Sequence, residues 1–257
     1  MHEALRSMSA SLRFTFVLVV ALAIAGLSLP SFTTARAARV RAASQAGEFA
    51  VGPVRAARGT AASGALEVPA RADEGTTIPV TVIHGARQPG PVLALVAGTH
   101  GMEYVPIVAL QRLRGAIDPA TLRGTVVLVH VANLPSFLRR TIYYSPVDGK
   151  NLNRVFPGSP EGTLSERIAD VITREVIARA DVVLDLHCGD GNEWLRPYTY
   201  WIATGDPEVA RRSRELALAF GLERIVVDRE RPTDPRASVY LSNTTVLRGK
   251  PALTTET

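Results

Sequence analysis

The stretch Pro91-Val92-Leu93-Ala94-Leu95-Val96-Ala97-Gly98-Thr99-His100-Gly101-Met102-Glu103 runs unbroken apolar residues into a glycine, then sets a histidine and a glutamate three positions apart. An apolar run without alternation predicts a strand buried on both faces. Glu103 to Arg114 then has helical spacing, with Val105, Val108, Ala109 and Leu113 on one side. The same pattern recurs outward from this unit. TVVLVHV (125–131), DVVLDLH (181–187), ERIVV (223–227) and KPALTTE (250–256) read as further strands. Asp118-Pro119 marks a short helical turn, Thr163-Leu164-Ser165-Glu166 is a capping box opening a helix to about Ala180, and Asp206-Pro207-Glu208 opens another ending near Gly221. Upstream, ALEVPA (65–70) and TTIPVTVIHG (76–85) are short β segments flanking the turn Asp73-Glu74-Gly75. Strands alternating with helices predict an α/β fold: a mixed, largely parallel central sheet flanked by helices. In such sheets ligands gather beyond the carboxyl ends of the strands.

That edge is where the histidines fall. His100 sits on the strand-to-helix turn and Glu103 in the first helical turn, while Gly98 and Gly101 permit a tight backbone. Alone, the pair reads equally as a buried polar turn with a carboxylate at the positive end of the helix dipole. His187 changes the balance, because it ends another buried strand at the same sheet edge. Two histidines and a glutamate are the protein ligands of zinc hydrolases that leave the fourth position open, and such a zinc acidifies water toward a pKa of ~7. His84 and His130 read as structural residues. Cys188 points away from the face of its neighbour His187 and reads as packing, with metal binding the alternative. Asp185 shares the face of His187 and either orients it or makes a sheet-end ion pair.

Asn151-Leu152-Asn153-Arg154-Val155-Phe156-Pro157-Gly158 lies in a long polar loop, and such loops inside compact domains are usually functional. The Asn153-Arg154 pair offers an amide and a guanidinium fork suited to a carboxylate, or else an arginine tying the loop to a carbonyl. Arg139 or Arg140 upstream could reach a developing oxyanion.

Length and composition bound the rest. The 257 residues, 46% hydrophobic and 21% charged, exclude disorder along the whole chain, and the single cysteine excludes a disulfide scaffold or a thiolate zinc finger. A net charge of +5 raises nucleic acid as a partner, but Lys150 and Lys250 are the only lysines and the arginines are scattered among alanines, so no nucleic-acid surface is expected. Residues 1–37 read as a signal peptide: Arg6 and Arg13, an apolar stretch from Phe14 to Leu29, Pro30, then Ala35-Arg36-Ala37 as cleavage site. The stretch is short of the ~20 residues a spanning helix needs. The chain is therefore expected to be exported, periplasmic or secreted, without stable membrane insertion after cleavage. Residues 38–60, rich in alanine, arginine and glycine, read as a disordered linker, and residues 61–257 as the catalytic domain.

Thr99-His100-Gly101-Met102-Glu103, Asn151-Leu152-Asn153-Arg154 with Phe156-Pro157-Gly158, Asp185-Leu186-His187 and Pro251-Ala252-Leu253-Thr254-Thr255-Glu256 resemble, in this order, the succinylglutamate desuccinylase/aspartoacylase family of zinc-dependent N-acyl amino acid hydrolases. The resemblance covers roughly Gly64 to the last residue. It implies a zinc carboxypeptidase-like fold and one Zn2+ per chain on His100, Glu103 and His187. It also implies a small carboxylate-bearing substrate gripped by Asn153 and Arg154, Glu256 as base and proton shuttle, and an oxyanion-stabilising arginine, for which Arg140 is the favoured position. Family members usually continue beyond the catalytic glutamate, so the domain is expected to be incomplete at its C-terminus, with Glu256 fraying and activity weak. The alternatives are an exported zinc carboxypeptidase acting on peptides and a non-catalytic module that keeps the pocket.

Overall fold

A computed structural model describes residues 47–203 and 205–257. The signal peptide expected at 1–37 and residues 38–46 of the expected linker lie outside the described residues. Among the described residues there are ten strands: β1 (Glu48–Val51), β2 (Val54–Ala57), β3 (Thr60–Val68), β4 (Thr76–His84), β5 (Arg87–Ala97), β6 (Arg123–Val129), β7 (Val182–His187), β8 (Tyr198–Ile202), β9 (Ile225–Asp228) and β10 (Ala252–Glu256). The helices are α1 (Tyr104–Ala116), α2 (Leu134–Arg139), α3 (Leu164–Val171, continued by a π-helical turn over Ile172–Ile177), α4 (Pro207–Phe220) and α5 (Leu241–Val246).

Eight strands form one mixed sheet in the order β3-β4-β6-β5-β7-β10-β8-β9. The four central strands β6, β5, β7 and β10 run parallel, whereas β3, β4 and β6 pair antiparallel on one side and β8 joins β10 antiparallel on the other. The apolar runs do what their lack of alternation predicts. Val92, Ala94 and Val96 of β5 pack with Val80, Val127, Val183 and Ile168 on one face, and Leu93, Leu95 and Ala97 pack with Leu128, Leu184, Ile107 and Leu110 on the other. Each of these valine, leucine and isoleucine side chains, when fully buried, contributes roughly 1.5 to 3 kcal/mol.

The helix ends follow their signals. The Glu166 carboxylate accepts from Thr163 N at 2.8 Å, and Asp206 Oδ1 accepts from Glu208 N and Val209 N at 2.8 and 3.1 Å. Gly221 closes α4 in the left-handed region. Three expectations need correction. Residues 48–57 are not linker but a β1–β2 hairpin, whose Phe49, Val51, Val54 and Ala56 are buried in the core. Helix α1 buries Ile107, Leu110 and Leu113, leaving Val105 and Val108 exposed, because the isoleucine and leucines offer the larger apolar stripe. Strand β10 lies inside the sheet between β7 and β8, with Thr257 N donating to His187 O at 3.2 Å, so Glu256 stands on a paired strand rather than a frayed end.

Candidate active site

Three adjacent parallel strands end together. Strand β5 runs out into the turn that carries His100, β7 ends at His187, and β10 ends at Glu256, which is the direct register partner of His187. Parallel partners project to the same face of a sheet, so Glu256 and His187 share a side, as do Thr254 and Asp185 two residues earlier. The turn after β5 is compressed onto α2. A Cβ on Gly101 would lie 2.2 Å from Ser136 O, and Gly98 has a φ of +69°. Only glycine lets the chain bend there and bring Glu103 back under His100.

His100, Glu103 and His187 are buried, and one ligand atom from each lies within 4.8 Å of the others. His100 Nδ1 is 2.6 Å and His187 Nδ1 3.1 Å from the same atom, Glu103 Oε1. The opposite ring nitrogens are held by acceptors: His187 Nε2 by Asp185 Oδ1 at 3.0 Å, His100 Nε2 by Asn151 Oδ1 at 3.2 Å. An imidazole donating through Nε2 keeps, when neutral, its Nδ1 lone pair pointing inward. Two inward lone pairs and a carboxylate repel one another unless a cation sits among them. Without a metal a proton has to serve. Burial disfavours a charged His187, but Asp185 and Glu103 outweigh it and raise the ring well above the usual imidazole range. Burial likewise works against an ionised Glu103, yet the His187 charge and the hydrogen bonds from both histidines bring it down to about 2. The donor set therefore fits a divalent cation, and its nitrogen and carboxylate chemistry fits zinc.

The surrounding cavity, of about 290 Å³, is lined by His100, Glu103, Asn153, Arg154, His187 and Glu256, together with residues that the sequence did not single out: Tyr143, Asp190, Glu193, Tyr198, Arg231 and Tyr240. Burial, followed by the charges of Glu103, Asp185 and Asp190, pushes the Glu256 carboxyl up to about 7 against the pull of His187. Arg154 Nη1 donates to Asn153 O at 2.8 Å and its guanidinium lies 4.6 Å from the Tyr240 ring centroid. Asn153 itself is engaged within the protein. Its Oδ1 accepts from Leu241 N at 3.0 Å and its Nδ2 contacts Asp185 Oδ2 at 3.4 Å, so it braces the site while lining the cavity.

Arg140 is not brought to the cavity. It caps the C-terminus of α2 in the left-handed region and is exposed, while Arg231 lines the cavity. Cys188 lines it as well, but burial raises its thiol to about 11, which keeps it protonated at neutral pH and apart from the metal-ligand trio. His84 and His130 are buried on Thr125 and Thr81, at 2.9 and 2.8 Å, away from the site. Asn151 and Tyr240 were legible only as a polar loop residue and a tyrosine, since their partners lie 51 and 86 positions away in the chain.

Residues 89–257 match the succinylglutamate desuccinylase/aspartoacylase catalytic domain. The chain belongs to this family. It is 42% identical over 164 residues to an N-alpha-acetyl-L-2,4-diaminobutyric acid deacetylase of Halomonas elongata, covering 62% of this chain and 46% of that protein. An aspartoacylase family protein from Mesorhizobium loti superposes with a TM-score of 0.67 at 32% identity, covering 77% of this chain and 61% of that one. The product-bound ectoine utilization protein EutE (DoeB) from Ruegeria pomeroyi does so at 0.66 and 31%, covering 77% and 60%. The chain thus spans about half the length of the curated relative and about 60% of these solved structures. Its mixed α/β sheet flanked by helices is the fold of that family.

Proposed function

We propose that this chain carries the zinc site and proton shuttle of a hydrolase that cleaves the amide bond of small N-acyl amino acids. The observation that carries the reading is the convergence of His100, Glu103, His187 and Glu256 at the ends of three neighbouring strands, beside an arginine with no carboxylate in ion-pair range among the described residues. The name of the Halomonas relative, a deacetylase of an acylated amino acid, supports the substrate class.

His100, Glu103 and His187 would hold zinc, which when bound would supply Lewis acidity toward a carbonyl oxygen and a water. The protein's own residues do the rest. Arg154 binds the substrate carboxylate through its remaining N–H groups, and Tyr240 keeps the guanidinium plane in place. Asp185 and Asn151 fix the two imidazoles. Glu256 takes a proton from the attacking water at its carboxylate and returns it to the departing amine, and a carboxyl that titrates near neutral pH suits both transfers. Arg231 replaces Arg140 as the cavity arginine able to meet negative charge on the acyl oxygen.

Stoichiometric zinc in the wild-type protein, lost in both His100→Ala and His187→Ala, is the expected result, and full zinc in both variants overturns the ligand set. Arg154→Ala should weaken binding of N-acyl amino acids by about 1.5 to 3 kcal/mol while barely changing their neutral esters. Equal effects on acid and ester would assign Arg154 to loop structure. We also propose export, with the mature chain starting near Ala38. N-terminal sequencing of secreted material tests it, and a membrane fraction retaining Met1 counts against it. No helix among the described residues is long and apolar enough to cross a membrane.

A further inference from the structure

Large aromatic and aliphatic side chains stand in the open beside the cavity. Ile142, Tyr143 and Tyr144 are exposed on the segment after α2, and Trp194, on the loop after β7, is 91% exposed. Neither segment is loose. Thr141 N donates to Ser136 O at 3.0 Å, which turns the first segment back along α2, and Tyr144 pairs with Asn151, the residue that holds His100 Nε2. In the second, Glu193 N donates to Asp190 O at 2.9 Å, Asp190 N to Glu193 Oε2 at 3.2 Å, and Gly191 N to Met102 O at 3.2 Å. Trp194 is thus presented to solvent by a closed turn. Both segments reach the same cavity, the first through Tyr143 and the second through Glu193 and Leu195.

Exposed rings and branched side chains on fixed backbone at a cavity mouth mark a surface that meets an apolar group. The neighbouring site says where that group comes from. With a substrate carboxylate on Arg154 and the amide carbonyl at His100, Glu103 and His187, the acyl chain leaves from the carbonyl carbon. There the Tyr143 ring lies edge-on to His100, with 5.5 Å between centroids, and the Tyr144 ring follows 6.5 Å from that of Tyr143. The cavity, about 290 Å³, is at the small end for ligand pockets, so a longer acyl chain has to continue over this rim. An acetyl group ends before it. Resting on the deacylase reading above, we propose that Ile142, Tyr144 and Trp194 form a rim that seats the tail of the acyl group, so that N-acyl amino acids with medium-length acyl chains are preferred over N-acetyl ones.

The test uses the zinc-loaded full chain and the acetyl, butanoyl and octanoyl derivatives of alanine, glutamate and ornithine, so that no single amino acid decides the outcome. Each methylene half-covered on an open rim raises kcat/KM by about twofold, and octanoyl should therefore exceed acetyl by at least tenfold. Trp194→Ala should cut that preference by about 5- to 10-fold, with the acetyl value and the melting temperature unchanged, and Trp194→Phe should restore most of it. A flat or inverse dependence on chain length, an octanoyl preference untouched by Trp194→Ala, or an equal loss on all chain lengths overturns the rim while leaving the deacylase reading intact. So does a dimer in light scattering that dissociates in Trp194→Ala with no change in chain-length dependence, which assigns the patch to a second copy. Turnover of none of the derivatives overturns the deacylase reading instead. Calorimetric binding of octanoate against acetate then decides the rim: tighter binding of octanoate that is lost in Trp194→Ala upholds it, and any other result overturns it.

Discussion

His187 is the residue through which the site is wired, because its two ring nitrogens face two different carboxylates: Nε2 reaches Asp185 and Nδ1 faces Glu103. A ligand imidazole is made more basic and held in one tautomer by such an outer carboxylate. Asp185→Asn keeps an acceptor but loses the charge, and Asp185→Ala loses both. Zinc affinity should therefore fall in the order wild type, Asn, Ala, by about 10- to 100-fold in all, as measured by chelator competition. Identical affinities would deny Asp185 the orienting part. Glu256 gives a second prediction, for the metal-free protein. Its carboxyl is raised from 4.5 to about 7, so the fold favours the neutral form. That contribution is complete below about pH 4.5 and is lost as pH rises through 7. Glu256→Gln, which stays neutral, should thus match the wild type at pH 4.5 and exceed it at pH 8 by about 1 to 2 kcal/mol, after allowing for partial exposure. Urea titrations at the two pH values check it, and a gain that does not depend on pH would refute it.

At the scale of elements, the turn between β5 and α1 decides whether the ligands meet. Gly101→Ala places a methyl group 2.2 Å from the Ser136 carbonyl oxygen, so backbone must move at α2 or at the turn itself. Circular dichroism should show a melting temperature lowered by several degrees, and zinc binding should weaken more than the loss of stability accounts for, since His100 and Glu103 flank the displaced residue. Unchanged zinc affinity would show that the turn adapts without moving its ligands. Elements of this kind were legible where burial on both faces leaves an unbroken apolar run, as in β5, β6 and β7. Strand β8 carries no such signal although Tyr198-Thr199-Tyr200-Trp201-Ile202 is aromatic and β-branched, because the residues before it are polar and three of its five positions are only half-buried, so no unbroken apolar run marks it. The β1–β2 hairpin was illegible for a different reason. Its strands are four residues each, and Phe49 and Val54 are ordered by Leu66 and the sheet beneath, which no local window contains. Of the site, His100, Glu103 and His187 were readable from two strand ends and the helical turn that follows one of them, and Glu256 only through the family resemblance. Arg231 and Asp190 were not, since a loop's path, unlike a strand's, is not set by its own periodicity.

For the molecule as a whole, a metal on His100, Glu103 and His187 would tie the turn after β5 to the end of β7, beside β10. Anything that binds only the folded state stabilises it by RT ln(1 + [L]/Kd), so zinc at a hundred times its dissociation constant should add about 2.7 kcal/mol. Calorimetry with zinc against chelator should show that increase, and His187→Ala should abolish it. The order of strands carries a further consequence. Strand β10 is the partner of both β7 and β8, yet it is made after either of them. During synthesis β7 has an open edge along its length, and the β8–β9–α4 unit has no strand to dock on, until residues 252–256 leave the ribosome. Strand β10 thus works as a keystone: until it emerges the nascent chain stays threadable and open to protease, and the pocket closes in the same event that joins the two halves of the sheet.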